Sequence, residues 1–115
     1  MIQIRFTELE FFIQELLMKL GMSEENAQIM TDIYINTTKR GVGHHDIHNL
    51  PQRLEKLKNG ELNPNPEFRL LSSFGGMERY DGDNGPGELI NHFSMERALA
   101  LASVHGAVIL PFAIV

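Results

Sequence analysis

The chain contains no cysteine. Disulfides and thiolate metal sites are therefore excluded, and the expected location is the cytoplasm, which the absence of cysteine permits. Long apolar runs are also missing: no stretch reaches the roughly 18 residues of a membrane span. Basic residues are in the minority, 10 Lys and Arg against 15 Asp and Glu, for a net charge of −5. That balance argues against binding a phosphate backbone, which needs a basic face, so neither nucleic acid nor membrane is an expected partner. The opening "MIQIRFTELEFF" carries acids where a signal peptide has a basic start and an apolar run. There are no internal repeats and no low-complexity tracts. What remains is an ordinary globular composition, 43% apolar and 22% charged over 115 residues, the size of one domain.

The first third reads as helical. Thr7 and Glu10 have capping-box spacing, with Phe6 and Phe11 as a hydrophobic staple. Leu9, Phe12, Ile13, Leu16, Leu17 and Leu20 recur at helical period, and Gly21 is the expected stop. Ser23 then caps a second helix, with Glu24 and Glu25 at its positive end and Ile29, Met30, Ile33 and Tyr34 as its buried stripe. Lys39, Arg40 and Gly41 end it. Together these form a helical hairpin. Asn49 caps a third helix, because Pro51 then falls in the first turn. Leu50, Leu54 and Leu57 face one way along it, and Gly60 closes it.

"ELNPNPEF" is a turn-rich connector. After it the period changes. "FRLLSSF" and "MERY" read as strands around Gly75–Gly76. "DGDNGPG", residues 81–87, is a glycine-dense loop that lacks the dinucleotide and Walker patterns, so only a structural use is assigned to it. A long helix follows from about Glu88 to His105, with Leu89, Ile90, Phe93, Leu99 and Ala102 inward. The closing "AVILPFAIV" reads as a strand buried on both faces, although Pro111 sits badly in a central strand. Such a strand needs neighbours, and few are in sight. The expectation is thus a single partial domain over 1–115: a helical segment over 1–60 and a strand–loop–helix–strand start of an α/β core over 61–115.

Chemistry is concentrated in "KRGVGHHDIHNLPQRL", from Lys39 to Leu54, which gathers His44, His45 and His48. Three readings compete. A metal site would use His44, His45, Asp46 and His48, but a zinc shell needs a further distant ligand, which Glu55 or Asp81 could supply and nothing in the sequence requires. A proton-transfer site suits imidazole, which titrates near neutrality, and Lys39, Arg40 and Arg53 lie close enough in sequence to hold a carboxylate. The bland reading is a set of exposed loop residues.

The residues of this stretch resemble those of the malate/L-lactate dehydrogenase family, the non-Rossmann type that includes ureidoglycolate, sulfolactate and diketogulonate oxidoreductases. Its members read Arg-Gly-Val-Asp-Ser-His-Gly-Ile-x-Arg-Leu-Pro where this chain reads "RGVGHHDIHNLP". The pattern continues through "RLEKLKNGELNPNP" and "DGDNGPGELINHFSMERALALASVHG", over about residues 5 to 107. The resemblance implies an α/β fold in which a helical hairpin and further helices pack on a few strands, within a larger mixed-sheet, three-layer architecture. It implies NAD(P)-dependent interconversion of a small 2-hydroxy acid and 2-keto acid, a dimeric enzyme in the full-length family, and NAD or NADP as cofactor.

It also places the family's acid/base histidine on His45. Arg53, one turn beyond Asn49, would substitute for an arginine that the family commonly uses for the substrate carboxylate, with His44 and His48 as further substrate contacts. No cofactor-binding residue and no metal ligand are assigned. His44, Asp46 and Asn49 depart from the family pattern, which bears on substrate class. The family's nicotinamide-binding part is built mainly from later sequence, so the 115-residue chain is expected to be inactive alone. The rival from another class is a non-catalytic module that docks a partner chain; metal binding stands third.

Overall fold

The computed structural model describes residues 3–41 and 47–113. It is a mixed α/β arrangement with two compact units, 1–65 and 66–115.

The first unit is built on a helical hairpin, α1 (Phe6–Lys19) and α2 (Glu24–Lys39). Helix α1 begins before the capping box expected at Thr7. Its N-cap is Arg5, no side chain caps it, and the first bond runs from the Leu9 N–H to the Arg5 carbonyl at 3.0 Å. Thr7 is thus already inside the first turn, where its hydroxyl cannot act as a cap. The stop at Gly21 is as expected. With φ at +96°, Gly21 lets its N–H reach the Met18 carbonyl (3.0 Å) and that of Met22 the Leu17 carbonyl (3.2 Å), a Schellman closure that a residue with a Cβ strains to adopt. Ser23 caps α2, its hydroxyl accepting from the Asn26 N–H at 3.2 Å.

The core of the hairpin is narrower on α1 and longer on α2 than the sequence suggests. Only Ile13 and Leu17 of α1 are fully buried, while Phe12, expected inward, is 58% exposed. A single neighbouring helix covers one stripe, and Phe12 lies about 100° from Ile13 around the axis. On α2 the buried set is Ala27, Met30, Thr31, Tyr34 and Ile35, the i, i+3, i+4, i+7, i+8 pattern; Ile29 and Ile33 are half-buried at its edge. Thr31 is tolerated there because its hydroxyl donates to the Ala27 carbonyl at 2.7 Å.

A 3-10 turn, Ile47–Asn49, leads into α3 (Leu50–Lys58), with Pro51 in the first turn and Leu50 and Leu57 buried. The connector after α3 does more than turn. The Asn65 side chain accepts from the Ser23 N–H (2.7 Å) and from Asn26 Nδ2 (3.3 Å), and donates to the Gly21 carbonyl (2.7 Å). One amide thus satisfies the backbone at the α1–α2 link. Asn65→Ala should lower stability by about 1–2 kcal/mol, read as a lower urea midpoint at unchanged slope. An unchanged midpoint would show that solvent replaces these bonds without loss.

The second unit opens with the hairpin β1 (Arg69–Phe74) and β2 (Met77–Asp81), joined at Gly75–Gly76 as the sequence predicts, with a bulge at Leu71. After the glycine-dense loop comes α4 (Gly87–His105), and then β3 (Phe112–Ala113), parallel to β2. The sheet order is β1-β2-β3, so the sheet is mixed and, among the described residues, β3 lies at its edge. This explains why Pro111 fits: its carbonyl accepts from the Tyr80 N–H at 3.1 Å, and its missing N–H falls at the start of an edge strand. The expectation of a strand buried on both faces is not met among the described residues of the run, since Ile109 is 59% exposed. Nor does Leu99 point inward; it is 66% exposed, and Leu89 and Leu101 hold the buried side of α4. The core of this unit is aromatic: Phe93 lies 4.9 Å from both Phe68 and Tyr80, and Phe112 lies 5.8 Å from Tyr80, between ring centroids.

Candidate functional site

Residues 42–46, which include His44, His45 and Asp46, lie outside the described residues, but both flanks of this segment are defined. Helix α2 closes through Arg40 and Gly41, the latter with φ at +72° and its N–H on the Thr38 carbonyl at 3.1 Å. On the far side the Ile47 N–H donates to Thr38 Oγ1 at 3.1 Å, while the same hydroxyl donates to the Tyr34 carbonyl at 2.7 Å. Thr38 is thus hydrogen-bonded to Gly41 and to Ile47, the described residues on either side.

Of the other predicted site residues, His48 is exposed in the 3-10 turn and Arg53 is half-buried on α3. Five positions separate them, which at helical pitch puts them roughly 140° apart, toward different sides of the stretch. Arg53 instead shares a face with Asn49, four residues earlier, on the side of the buried Leu50 and Leu57. Among the described residues no three metal-ligating side chains converge.

The glycine-dense loop is built for shape. Gly82 to Gly85 form a turn in which Asp83 and Asn84 take φ of 49° and 55° and the Gly85 N–H meets the Gly82 carbonyl at 2.9 Å. A Cβ on Gly85 would sit 2.6 Å from Pro66 Cγ, so the glycine is needed for close packing. Asp81 Oδ1 accepts from the Asp83 N–H (2.8 Å), Asp81 Oδ2 from Arg69 (3.2 Å), and Asp83 Oδ2 from the Glu67 N–H (2.9 Å). The Asp83 N–H, and then Arg69, hold the Asp81 carboxyl below its ordinary range. These residues do not fit a dinucleotide phosphate: Pro66 fills the approach to Gly85, and two carboxylates, with Asp81 firmly ionised, would repel an anion.

Sequence reasoning passed over the most strongly coupled polar cluster. Buried Glu78 receives Arg97 through both oxygens, Nε to Oε1 at 2.6 Å and Nη2 to Oε2 at 2.8 Å, and Tyr80 donates to Oε1 at 2.8 Å. The Arg97 hydrogen bonds outweigh burial and pull the Glu78 carboxyl down to about 2. Burial first, and Glu78 second, raise the Tyr80 hydroxyl. The signal was available. In "MERY" the period of 2 puts Glu78 and Tyr80 on one face, and Arg97 falls between Phe93 and Leu101 on the inward side of α4.

The comparisons with known proteins come to the same region of sequence. Residues 4–112 match the family model described as malate/L-lactate dehydrogenase. A 2,3-diketo-L-gulonate reductase from Klebsiella pneumoniae is 31% identical over 104 residues, 90% of this chain and 31% of the relative. Among solved structures, malate dehydrogenase from Pyrococcus horikoshii OT3 superposes with a TM-score of 0.88 at 30% identity, over 95% of this chain and 31% of that one. Sulfolactate dehydrogenase from Methanocaldococcus jannaschii gives 0.82 at 29%, over 88% and 29%. The chain thus spans about a third of the length of these relatives. With a family match over nearly all of its residues, the chain belongs to the malate/L-lactate dehydrogenase family of oxidoreductases.

Proposed function

We propose that this chain carries the acid/base segment of an oxidoreductase that interconverts a small 2-hydroxy acid and the corresponding 2-keto acid. The observation that carries the reading is the stretch Lys39–Leu54, which lies inside the family match and contains His45, the residue that the motif resemblance aligns with the family's acid/base histidine. The names of the relatives, malate, sulfolactate and 2,3-diketo-L-gulonate, support the substrate class. In this reading residues 1–60 supply the proton-transfer segment and residues 61–115 begin the α/β core of the same domain. A homodimer and a cytoplasmic location belong to the same reading, by resemblance to the family.

NAD or NADP is the implied hydride source or acceptor. The glycine-dense loop does not fit it, so this chain's residues are assigned the proton and the substrate acid group only. In reduction, His45 delivers a proton to the carbonyl oxygen; in oxidation it accepts the hydroxyl proton. Thr38 serves as a positioning residue by fixing the flanks of the segment. Arg53, half-buried and in line with Asn49, is the bidentate donor for the substrate carboxylate, with His44 and His48 near it in sequence.

The test is a chimera in which this chain replaces the matching segment of the Pyrococcus horikoshii enzyme. NADH and NADPH oxidation is then followed with pyruvate and other small 2-keto acids. His45-dependent turnover supports the reading. A folded chimera that turns over equally well with alanine at position 45 removes His45 from the chemistry.

A further inference from the structure

The chain has two Asn-Gly pairs, Asn59–Gly60 and Asn84–Gly85, and the fold treats them oppositely. In such a pair the asparagine carboxamide is open to attack by the next backbone nitrogen, because glycine has no side chain to block the approach and turns freely about its own bonds. At Asn84 that approach is closed. Gly85 is buried, its N–H meets the Gly82 carbonyl at 2.9 Å, and Pro66 packs where a Cβ would stand. At Asn59 it is open. Asn59 is the C-cap of α3, both residues of the pair are exposed, and the Asn59 carboxamide makes no hydrogen bond among the described residues. The Gly60 N–H reaches the Leu57 carbonyl only at 3.3 Å, past the usual N–H···O range. The space a Cβ would occupy at Gly60 has no described neighbour within 4 Å. Lys56 and Lys58, in the last turn of α3, put positive charge near the amide that must give up its proton.

We infer that Asn59–Gly60 is a site of spontaneous covalent modification, at which Asn59 converts to aspartate and isoaspartate with water as the only co-reactant. The Gly60 nitrogen bonds to Asn59 Cγ, the Cγ–Nδ2 bond breaks, and ammonia leaves carrying the amide proton. Water then opens the cyclic imide at either carbonyl, and no electrons are exchanged. Opening one way gives aspartate, a carboxylate at the negative end of the α3 dipole. Opening the other way gives isoaspartate, which routes the main chain through the side-chain carbons and adds a methylene between positions 59 and 60. Either product works against the helix closure in which the Asn59 N–H meets the Glu55 carbonyl (2.9 Å) and the Glu61 N–H meets the Lys56 carbonyl (2.9 Å). The connector that starts there ends at Asn65, whose amide serves the α1–α2 link. The modification therefore loosens the helical unit from its connector inward. This inference rests on the geometry of the two pairs and not on the oxidoreductase reading.

The experiment ages the purified 115-residue chain in mildly alkaline buffer and maps the products by peptide mass spectrometry, with electron-transfer fragmentation to separate isoaspartate from aspartate. Under native conditions Asn59 should convert about tenfold faster than Asn84, because Asn59 reacts from a fraying helix end and Asn84 only after a packed turn opens. In guanidinium, where both pairs are unfolded, the two rates should converge. The aged chain should unfold at a lower urea midpoint than the fresh one. Asn59→Gln makes the side chain too long to close the same ring, so this variant should keep its midpoint through the same treatment. Native conversion of Asn84 as fast as that of Asn59 overturns the inference. So does an Asn59 that survives under native conditions for as long as the unfolded chain takes to convert fully. An aged wild type with the fresh midpoint, or an equal loss of midpoint in Asn59→Gln, overturns the claim that this site loosens the unit.

Discussion

His45→Asn in the chimeric enzyme should lower kcat/KM by about 10²–10⁴-fold, the range for removing a positioned general acid. Asparagine keeps a polar side chain of similar reach, so the loss reports the missing proton rather than a hole in the structure. The direction of the pH dependence is fixed by the role. Keto-acid reduction needs imidazolium, so its rate should fall as pH rises through the histidine's own titration, ordinarily near neutral. Hydroxy-acid oxidation needs neutral imidazole, so its rate should fall as pH drops through the same range. Both profiles should flatten in the variant, which lacks the group that holds the transferred proton. His44→Asn and His48→Asn are the controls. His48 is exposed in the 3-10 turn, and its replacement should cost less than tenfold with the pH limbs unchanged. If either control abolishes the pH limb while His45→Asn does not, the acid/base assignment moves to that histidine. A wild-type rate in all three variants removes histidine chemistry from this segment.

How far the sequence anticipated the fold depended on how local each cause was. Gly21, Ser23, Gly41 and Gly60 act within their own turns, so the helix ends near them follow from chain-local chemistry and were legible. Strands β1 and β2 were legible because the Gly75–Gly76 turn and the change of period coincide. What was not legible depended on what lies alongside. Leu89, Ile90, Phe93, Leu99 and Ala102 read as the inward set of α4, and only Leu89 of these is fully buried, because apolar residues occur on every side of that helix and periodicity alone does not choose among faces. Phe12 was assigned to the core on the same ground, but only a stripe of α1 is covered in this unit. Pro111 argued against a sheet position until the register showed that what it offers β2 is its carbonyl, which accepts from the Tyr80 N–H, so that no N–H is called for there. Asn65 reads as one residue of a turn-rich connector, and its three bonds join positions 42, 39 and 44 residues away. At the candidate site, the motif was legible through family resemblance, whereas the tie through Thr38 needed the coordinates, since nothing in "NTTKRG" singles out that hydroxyl.

Replacing Glu78 by glutamine should destabilise the chain by about 2 kcal/mol at neutral pH, within the range for losing charge-assisted hydrogen bonds in a buried setting. Glutamine is nearly isosteric but presents one acceptor where the carboxylate presents two, so the paired contacts to Arg97 cannot both survive. The loss should stay below that of a fully buried pair, because the Arg97 side chain is 39% exposed and water can take over part of the fork. The pH dependence gives a second readout with a definite sign. The Glu78 carboxyl sits near 2 in the folded chain and near 4.5 when free of its partners. Its stabilising contribution is therefore complete above about 4.5 and is lost as pH falls toward 2. The urea midpoint of the wild type should fall toward that of Glu78→Gln over this window, and the gap between them should close at the acid end. A gap that stays constant from pH 7 to 2 would mean that shape, not charge, is what glutamine fails to reproduce. Arg97→Met separates the two partners further. Alone it leaves a buried carboxylate with Tyr80 as its remaining side-chain donor and should cost more than Glu78→Gln, whereas the double variant E78Q/R97M should be more stable than the sum of the single losses predicts. Strict additivity would show that the fork, despite its short distances, contributes little to holding α4 on β2.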